Sequence, residues 1–370
     1  MKTINRIIKS LEENGIGFDW TGFSQSVLLQ KHILLEQYIK ELCRLLNCKP
    51  DCITDPKRLI WRLYANKIYP ASLSFEFLKE NRTACREYEL LYSYKKTVQF
   101  LKQYGDTLKA RLVDGRLHGT WTMDGAVTGR MTCKEPNLQA FPAEVKNFFQ
   151  PREGYCLIFC DYSQIELRVL AELSQDANMI KAFAANTDIH TKTASAIFNK
   201  PFTAITAQER TIAKRVNFGI CYGISVQGLC DVVNNKTDVN LSFEEANRLK
   251  KSFYDTYPQI REYHNHLLTT ETIESLGGRQ WVNYPRGIAR VNLPVQASAA
   301  EGLKLSLDIL VNSLPDDCYL VNVIHDEIII EAPNNDCIEQ NSTLLTQSMI
   351  AGMGMLVKSL PVEVKITYKF

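Results

Sequence analysis

The 370-residue sequence has few of the features that define disulfide-bonded, membrane-spanning or strongly charged proteins. Its eleven cysteines are an odd number and contain no C-x-x-C pair, which argues against a disulfide framework and against a zinc ribbon. No apolar run approaches the roughly 18 residues that a membrane span needs. Because 43 Lys and Arg nearly balance 41 Asp and Glu, no overall basic field points to a nucleic-acid partner. Any sign of such a partner must be local.

The remaining composition is that of an ordinary globular protein. Hydrophobic residues make up 45% and charged residues 23%, and the length predicts two or three structural units. Glu12 and Glu13 interrupt the N-terminal segment where a signal peptide needs an apolar run, so we expect a cytoplasmic protein that does not enter a membrane. Cys43, Cys48 and Cys52 form the closest thiol cluster, but three thiols without a fourth ligand make a poor zinc site.

The first third of the chain predicts two long helices. An apolar stripe at helical spacing runs through residues 26–47 and indicates a packed helix. Residues 87–116 predict a second helix that carries Tyr92, Tyr94 and Tyr104. Between residues 92 and 116 there are six basic and two acidic residues, a net charge of +4. This surface is either a solvated helix face or one that follows a phosphate backbone.

The middle of the chain predicts turns, then a strand, an acidic residue and a helix. Gly, Asp, Asn and Pro are frequent in residues 113–142, which favours hairpins and loops. Residues 155–160 form an apolar run that ends at Asp161 and is followed by a helical pattern. Near the C-terminus, apolar residues 319–324 and 328–333 predict two strands around His325, Asp326 and Glu327.

Two further helices have recognisable ends. Residues 207–223 predict a helix that ends at Gly223, because glycine is favoured just after a helix. Ser242 and Glu245 match a capping box, which predicts that a helix begins there and continues until Pro258 interrupts it.

The acidic residues at the strand ends suggest a metal site. Asp161 and Asp326 are 165 positions apart, so they converge only if their strands are neighbours in one sheet. Carboxylates in such a place suit Mg²⁺ held together with substrate phosphates, and two such ions can activate an attacking oxygen and stabilise a leaving one. The alternative is that each is a solvated turn residue.

The helix at 207–223 suggests a nucleotide site. Arg210, Lys214, Phe218 and Tyr222 are four residues apart and drift only about 40° per step around the helix axis. Two cations that could hold a triphosphate are thus followed by two rings that could pack on a sugar or base. The alternative is a basic helix surface with a buried aromatic end.

These segments resemble three motifs of family A DNA polymerases, the bacterial DNA polymerase I type. The motifs lie in residues 161–194 (DYSQIELRVLAELS through DIHTKTA), 210–223 (RTIAKRVNFGICYG) and 323–333 (VIHDEIIIEAP). Further similar segments occur in order: LEENGIGFD, TGRMTCKEPNLQAFP, SFEEANRLKKSFYDTYPQIREY and NLPVQASAA. The resemblance covers most of the chain, from about residue 9 to residue 333.

The resemblance implies an α+β right-hand fold whose palm is an antiparallel sheet with packed helices. It divides the chain into an N-terminal segment on the palm (1–30), a thumb (31–118), a palm segment with the first motif (119–200), fingers with the second (201–290) and a palm segment with the third (291–370). The implied activity is template-directed addition of deoxynucleotides to a primer 3′-hydroxyl. The implied partners are primer–template DNA and deoxynucleoside triphosphates, and we expect a monomer.

The resemblance also implies roles for single residues. Asp161, Asp326 and the Tyr162 carbonyl would bind two Mg²⁺ ions, for which Mn²⁺ could substitute, with Glu327 as an accessory acid. Lys214 would serve catalysis and, with Arg210 and His190, hold the triphosphate. Glu166 and Phe218 would contact the sugar and exclude a ribose, and Gln164 and Tyr222 would complete the nucleotide site. Phe rather than Tyr at position 218 predicts poor use of dideoxynucleotides. The residues expected at the primer–template are Arg130, Asn137, Gln139, Asn292, Gln296 and His325.

The chain departs from the family pattern in several places. It begins where the polymerase domain of the family begins, so we expect neither a proofreading exonuclease nor a 5′ nuclease. The fingers segment between Arg279 and Asn292 is shorter than usual and lacks some basic residues. Ala297 and Glu301 stand where Gly and Asp are usual. These departures leave fidelity, processivity and part of the template contact open.

Two other functions fit the same architecture. Single-subunit RNA polymerases share it, but Glu166 and Phe218 argue against ribonucleotides. A silent nucleic-acid-binding relative would usually have lost its metal carboxylates, and here both remain. The motifs do not distinguish repair, lesion bypass and plasmid, phage or mobile-element replication.

Overall fold

The computed structural model describes residues 2–236, 240–285 and 287–370, and its helices and antiparallel sheets form an α+β fold. The α-helices are α1 Lys2–Asn14, α2 Trp20–Phe23, α3 Leu29–Leu45, α4 Pro50–Thr54, α5 Pro56–Ala65, α6 Phe75–Glu80, α7 Arg86–Tyr104, α8 Asp106–Lys109, α9 Ala143–Lys146, α10 Ile165–Ser174, α11 Ala177–Ala184, α12 Ile189–Phe198, α13 Ala207–Cys221, α14 Val226–Lys236, α15 Phe243–Thr256, α16 Pro258–Thr269, α17 Ile288–Ser313 and α18 Ile338–Gly354. The strands are β1 Ile16–Phe18, β2 Leu112–Val113, β3 Arg116–Leu117, β4 Thr120–Thr122, β5 Thr132–Lys134, β6 Phe149–Gln150, β7 Tyr155–Tyr162, β8 Thr272–Glu274, β9 Gln280–Val282, β10 Tyr319–Ile324, β11 Glu327–Pro333 and β12 Val364–Lys369.

The chain divides into two compact units. The first comprises residues 1–15, 119–140 and 151–370, and the second comprises residues 16–118 and 141–150. The first unit is built on an antiparallel sheet in the order β10-β11-β7-β12. Helices α17 and α18 pack on each other, and α18 also packs on β7, β11 and β12.

The two inner strands of this sheet, β7 and β11, are apolar and buried on both faces. In β7, Cys156, Leu157 and Ile158 are completely buried, as are the residues of the 328–330 isoleucine run in β11. Strands buried on both faces read as continuous apolar runs rather than as alternating ones. This is why both runs could be recognised in the sequence.

A buried hydroxyl joins the sheet to its helices. Tyr162, the last residue of β7, shares a hydrogen bond of 2.6 Å with the Ser306 hydroxyl of α17 and donates one of 2.7 Å to the Met349 carbonyl of α18. The two helices approach closely because Gly352 has no side chain. A Cβ at that position would lie 2.3 Å from the backbone nitrogen of Ser306.

The second unit combines helices with a small antiparallel sheet in the order β2-β3-β1-β6. Helices α3 and α7 pack together around buried leucines that include Leu42, Leu46, Leu90 and Leu91. The turn between β2 and β3 is Asp114–Gly115, and both residues have positive φ angles, 49° and 75°. An Asp-Gly pair in this conformation is the preferred two-residue hairpin turn.

The predicted helix at 87–116 is too long. Helix α7 ends at Tyr104, where Gly105 leaves the helical conformation with φ −82° and ψ −127°, and only a short helix and a hairpin follow. The predicted basic face is also smaller, since the Lys95 ammonium donates to the Leu73 carbonyl and burial lowers its pKa. Tyr104 is buried against Phe141.

The other predicted elements agree with the structure to within a few residues. The predicted helix at 26–47 corresponds to α3 and the short π-helical turn before it. The predicted capping box at Ser242 is present. Pro258 begins α16 immediately after α15. None of the helices in the described part of the chain is long and apolar enough to cross a membrane.

Candidate active site

One of the two acidic residues predicted to converge lies on a strand, and the other lies in the turn that leads into the neighbouring strand. In the pairing of β11 with β7, Glu327 is directly opposite Asp161. Asp326 occupies the two-residue turn between β10 and β11, and its carbonyl accepts a hydrogen bond of 3.3 Å from the Tyr162 amide. His325, the other turn residue, has a positive φ of 58°. The hairpin therefore places Asp326 beside Asp161 at one end of the sheet.

Helix α13 provides the opposing wall. Thr206 and Glu209 form a capping box at its start, and the helix ends before Gly223, whose φ is +72°. The side chains of α13 share a cavity of about 270 Å³ with the acidic residues. The predicted nucleotide-site and metal residues that line it are Asp161, Tyr162, Gln164, Glu166, His190, Arg210, Lys214, Phe218 and Asp326.

Arg210 is held by a carboxylate that the sequence had not indicated. Its Nε and Nη2 atoms donate to the two oxygens of Asp188 over 2.6 and 3.2 Å. Asp188 also caps α12 by accepting from the His190 amide and accepts from the Thr191 hydroxyl. Burial alone would raise the pKa of Asp188, but the bonds from Arg210 and Thr191 outweigh it and lower this pKa to about 2.

His190 is a neutral imidazole in this environment. Burial lowers its pKa to about 4, and the nearby charges of Arg210 and Lys214 act in the same direction. Its Nδ1 atom lies 2.9 Å from the side-chain nitrogen of Asn217, and its ring lies 5.7 Å from that of Phe218. A neutral imidazole can offer a ligand in this cavity a hydrogen bond but not a full positive charge.

Glu166 lines both the cavity described above and a second, adjoining cavity. Its carboxylate accepts a hydrogen bond of 2.7 Å from Arg130 and another from the hydroxyl of Tyr222. Burial raises the pKa of Glu166 to about 7, against the opposing effect of Arg130. Glu166, Asp326, Arg130, Tyr222 and His325 line an adjoining cavity of about 310 Å³. Tyr222, predicted to stack near the templating base, is thus held by its hydroxyl to the residue predicted to contact the sugar.

The residues predicted to contact primer–template are only partly brought together. Arg130, Gln139 and His325 line a third cavity of about 190 Å³, and Gln139 donates to the Val323 carbonyl over 3.2 Å. Four predicted site residues line none of the three cavities: Asn137, Asn292, Gln296 and Glu327. Asn137 is exposed and accepts from the Gln139 amide, and Asn292 and Gln296 are half-buried on α17.

Lys365 is a cavity residue that the sequence analysis missed. It lies on β12 directly opposite Asp161 and lines the same cavity as Arg210 and Lys214. The alternation of polar and apolar residues in VKITYK does indicate a strand. Its partner strand could not be identified, because β7 and β12 are about 200 residues apart.

The donor set fits Mg²⁺ only as a site shared with substrate. In the described ranges, no group of three or more His, Cys, Asp and Glu side chains is placed to hold a metal. Asp161 and Asp326 supply hard carboxylate oxygen atoms to one cavity, and Tyr162, whose carbonyl is the third predicted ligand, lines the same cavity. Mg²⁺ commonly takes one or two carboxylates and completes its shell with water and substrate phosphates. The buried Gln164 Oε1 atom in this cavity has no hydrogen-bond partner among the described residues, which also suits a ligand.

Carboxylates and cations lie in one cavity at the end of an antiparallel sheet, and this arrangement suits phosphoryl transfer. Similarity to known proteins identifies the family. The model of DNA polymerase family A matches residues 66–370, and the chain belongs to this family. DNA polymerase I of Aquifex aeolicus is 35% identical over 280 residues, 72% of this chain and 48% of that protein. The thermostable DNA polymerase I of Thermus thermophilus is 29% identical over 398 residues, 98% and 47% of the two chains.

A solved structure has the same fold. It is the POL domain of Pol1 from M. smegmatis in complex with DNA primer-template and dNTP, with a TM-score of 0.84 at 24% sequence identity. The match covers 99% of this chain and 69% of that one. The α+β right-hand fold expected from the sequence is therefore confirmed. The chain spans about half the length of the two DNA polymerase I relatives it matches.

Proposed function

We propose that this chain is a template-directed DNA polymerase that extends a primer 3′-hydroxyl with deoxynucleotides. The observation that carries the proposal is the placement of Asp161, on β7, and Asp326, in the turn before the neighbouring β11, in the cavity that also contains Arg210 and Lys214. A binding protein has no need of two adjacent carboxylates where a polyanion would lie. A phosphoryl-transfer enzyme does, because such carboxylates can bind divalent cations at the reacting phosphate.

The proposed reaction is one in-line displacement. The primer 3′-oxygen forms a bond to the α-phosphorus of the incoming nucleotide, the bond from that phosphorus to the β-phosphate oxygen breaks, and pyrophosphate leaves. Arg210 and Lys214 neutralise and orient the triphosphate, and His190 donates a hydrogen bond to it. Asp161, Asp326 and the Tyr162 carbonyl would hold Mg²⁺, which when bound lowers the charge on the reacting oxygens.

The sugar preference would come from a steric wall. Glu166 is fixed by Arg130 on one side and Tyr222 on the other, so its carboxylate cannot easily move aside. A ribose 2′-hydroxyl at this wall would meet a buried, already bonded side chain, and Phe218 would pack against the same sugar. Discrimination of this kind acts by clash rather than by added attraction.

The DNA contacts would be independent of sequence. Arg130, Gln139 and His325 are placed around one cavity, where they could test the shape of the newest base pair through minor-groove acceptors common to all correct pairs. Further proposed contacts to the primer–template are Asn137, Asn292 and Gln296. Lys96, Lys102 and Lys109 are exposed on α7 and α8 and are suited to phosphate contacts.

Primer extension tests the proposal. The native chain, given a labelled primer–template, Mg²⁺ and four deoxynucleotides, is expected to extend the primer, and Asp326→Asn is expected to lose this activity by several orders of magnitude. Asp336→Asn, which changes an exposed carboxylate that lines none of the three cavities, is the matched control and should extend normally. Equal activity of both variants, or a native chain that binds the duplex and adds nothing with Mg²⁺ or Mn²⁺, would contradict the proposal. Preferential use of ribonucleotides would favour the RNA polymerase alternative.

A further inference from the structure

The second unit has a surface of exposed aromatic side chains on and just after α5. Trp61 is 74% exposed, Tyr69 is 70% exposed and Tyr64 is 43% exposed. The rings of Tyr64 and Tyr69 lie 5.5 Å apart and are tilted by 41°. Single exposed apolar residues are ordinary on protein surfaces, but a group of three large rings on a short segment needs an explanation.

Folding does not explain this exposure. Helix α5 is anchored by Leu59 and Leu63, which are almost completely buried in the core of the second unit. Lys57, Trp61 and Tyr64 recur at i, i+4 and i+7 and therefore share a different side of the helix. These positions could be polar without loss of core packing, so the rings are free to serve a ligand.

The charged residues of the segment that carries the rings are all positive. Residues 56–69 contain four cations and no carboxylate. Arg58 is engaged by Asp51 and Asp55, while Lys57, Arg62 and Lys67 are exposed. A surface that combines rings with positive charge complements a ligand that has flat faces and a negative backbone.

We propose that this surface, the α5 patch of Lys57, Trp61, Arg62, Tyr64, Lys67 and Tyr69, binds single-stranded DNA. Unpaired bases would stack on Trp61 and the tyrosines, and the cations would contact phosphates. Duplex DNA hides the base faces inside its stack, so the rings favour a single strand. A protein partner fits less well, because charged residues are depleted in the cores of protein interfaces. The choice of DNA as the polyanion rests on the proposed function.

The first test measures stacking. The full chain is titrated into a fluorescein-labelled oligothymidylate of about 20 nucleotides, longer than one such site requires, and binding is followed by anisotropy. Trp61→Ala is expected to weaken binding about tenfold, and Trp61→Phe, which keeps a ring, should restore part of the affinity. Phe243→Ala removes a ring that is 55% exposed on α15 and serves as the matched control without effect.

The second test separates the cations from the rings. For single strands, the slope of log affinity against log salt concentration is about −0.7 per phosphate contact. Lys57→Ala combined with Arg62→Ala should therefore make the slope shallower by about 1.4, whereas Trp61→Ala should leave it unchanged. Arg6→Ala with Lys9→Ala removes two exposed cations of α1 as the control. Equal urea midpoints show that the variants fold alike.

The outcomes distinguish this proposal from the proposed function. Asp326→Asn should bind the oligothymidylate like the native chain, because the α5 patch does not use the metal carboxylates. A native chain that extends no primer but keeps patch-dependent binding would contradict the polymerase proposal alone. Native affinity in Trp61→Ala, an unchanged salt slope in the double variant, or an equal effect of Trp61→Ala on duplex binding would overturn the α5 patch. Binding of a protein instead of the oligothymidylate would overturn it as well.

Discussion

Replacing Asp188 by Asn tests whether its bidentate hydrogen bonds with Arg210 hold this arginine in the orientation that the proposed triphosphate site needs. Asn keeps a side-chain oxygen that can cap α12, so the substitution removes the charge and leaves the helix start intact. The pKa of Asp188 is about 2 in the folded chain, against an ordinary value of 3.8. At about 1.36 kcal/mol for each pH unit, this lowering of the pKa would correspond to roughly 2 kcal/mol in the absence of solvent screening, and Arg210 supplies only part of it because Thr191 and the His190 amide also bond to the carboxylate.

Solvent reduces this magnitude. The Arg210 side chain is 45% exposed and that of Asp188 is 31% exposed, so we expect the pair to contribute only about 1 kcal/mol. Because the folded pKa is depressed, this stabilisation is present above the unfolded value of 3.8 and is lost as the pH falls through about 2. Urea unfolding near pH 7 should therefore show Asp188→Asn about 1 kcal/mol less stable, and Asp188→Ala a further ~1 kcal/mol less stable because the cap is lost.

The functional consequence separates positioning from stability. Without Asp188 the Arg210 side chain loses a fixed orientation, so we expect the KM for the nucleotide to rise several-fold while kcat changes less. The control is Asp255→Asn, which breaks an exposed pair of 2.7 Å with Arg261 and should change neither quantity by much. An Asp188→Asn enzyme with native KM and native stability would refute the reasoning.

Two further predictions concern the sheet that carries the acidic residues. Lys365→Ala removes a third cation from the cavity that contains Arg210 and Lys214, so the KM for the nucleotide should rise several-fold in steady-state primer extension. The control is Lys358→Ala, which changes an exposed lysine and should have no effect. Tyr162→Phe removes a buried hydroxyl that bonds to Ser306 and Met349, which should lower the free energy of unfolding by about 1–2 kcal/mol. Its backbone carbonyl stays in place, so primer extension should persist, and a loss of activity without a loss of stability would contradict this interpretation.

The sequence was most informative where one local pattern determines one element. The apolar runs of β7, β10 and β11, the capping box of α15 and the glycine after α13 were all predictable because each depends on neighbouring residues. The convergence of Asp161 with Asp326 could be stated only as a condition, that their strands be neighbours. The structure meets this condition through the pairing of β7 with β11.

Features that depend on distant segments could not be predicted. Asp188 and Arg210 are 22 residues apart and meet only because α12 packs on α13, and Lys365 reaches the cavity only because β12 returns to β7. The end of α7 was missed for a different reason. The helical pattern continues past Gly105, where the backbone leaves the helix with φ −82° and ψ −127°. Apolar periodicity alone does not show where a glycine ends a helix.

The same geometry that suits the acidic pair for metal binding should cost the fold stability. Asp326 is half-buried, and burial raises the pKa of its carboxyl, so keeping this carboxylate charged costs free energy in the folded chain. Active sites commonly carry such a cost because selection acts on function. In the presence of a chelator, Asp326→Asn should therefore be as stable as the native chain or more stable, although we expect it to be inactive.

Divalent cations should reverse this order of stability between Asp326→Asn and the native chain. A ligand that binds only the folded state stabilises it by RT ln(1 + [L]/Kd), so Mg²⁺ with a nucleotide should raise the urea midpoint of the native chain more than that of Asp326→Asn. Asp336→Asn, with an exposed carboxylate that lines none of the three cavities, should follow the native chain in both conditions. If Asp326→Asn is strongly destabilised in the chelator, this carboxylate serves the fold, and loss of primer extension in that variant would no longer identify it as a metal ligand.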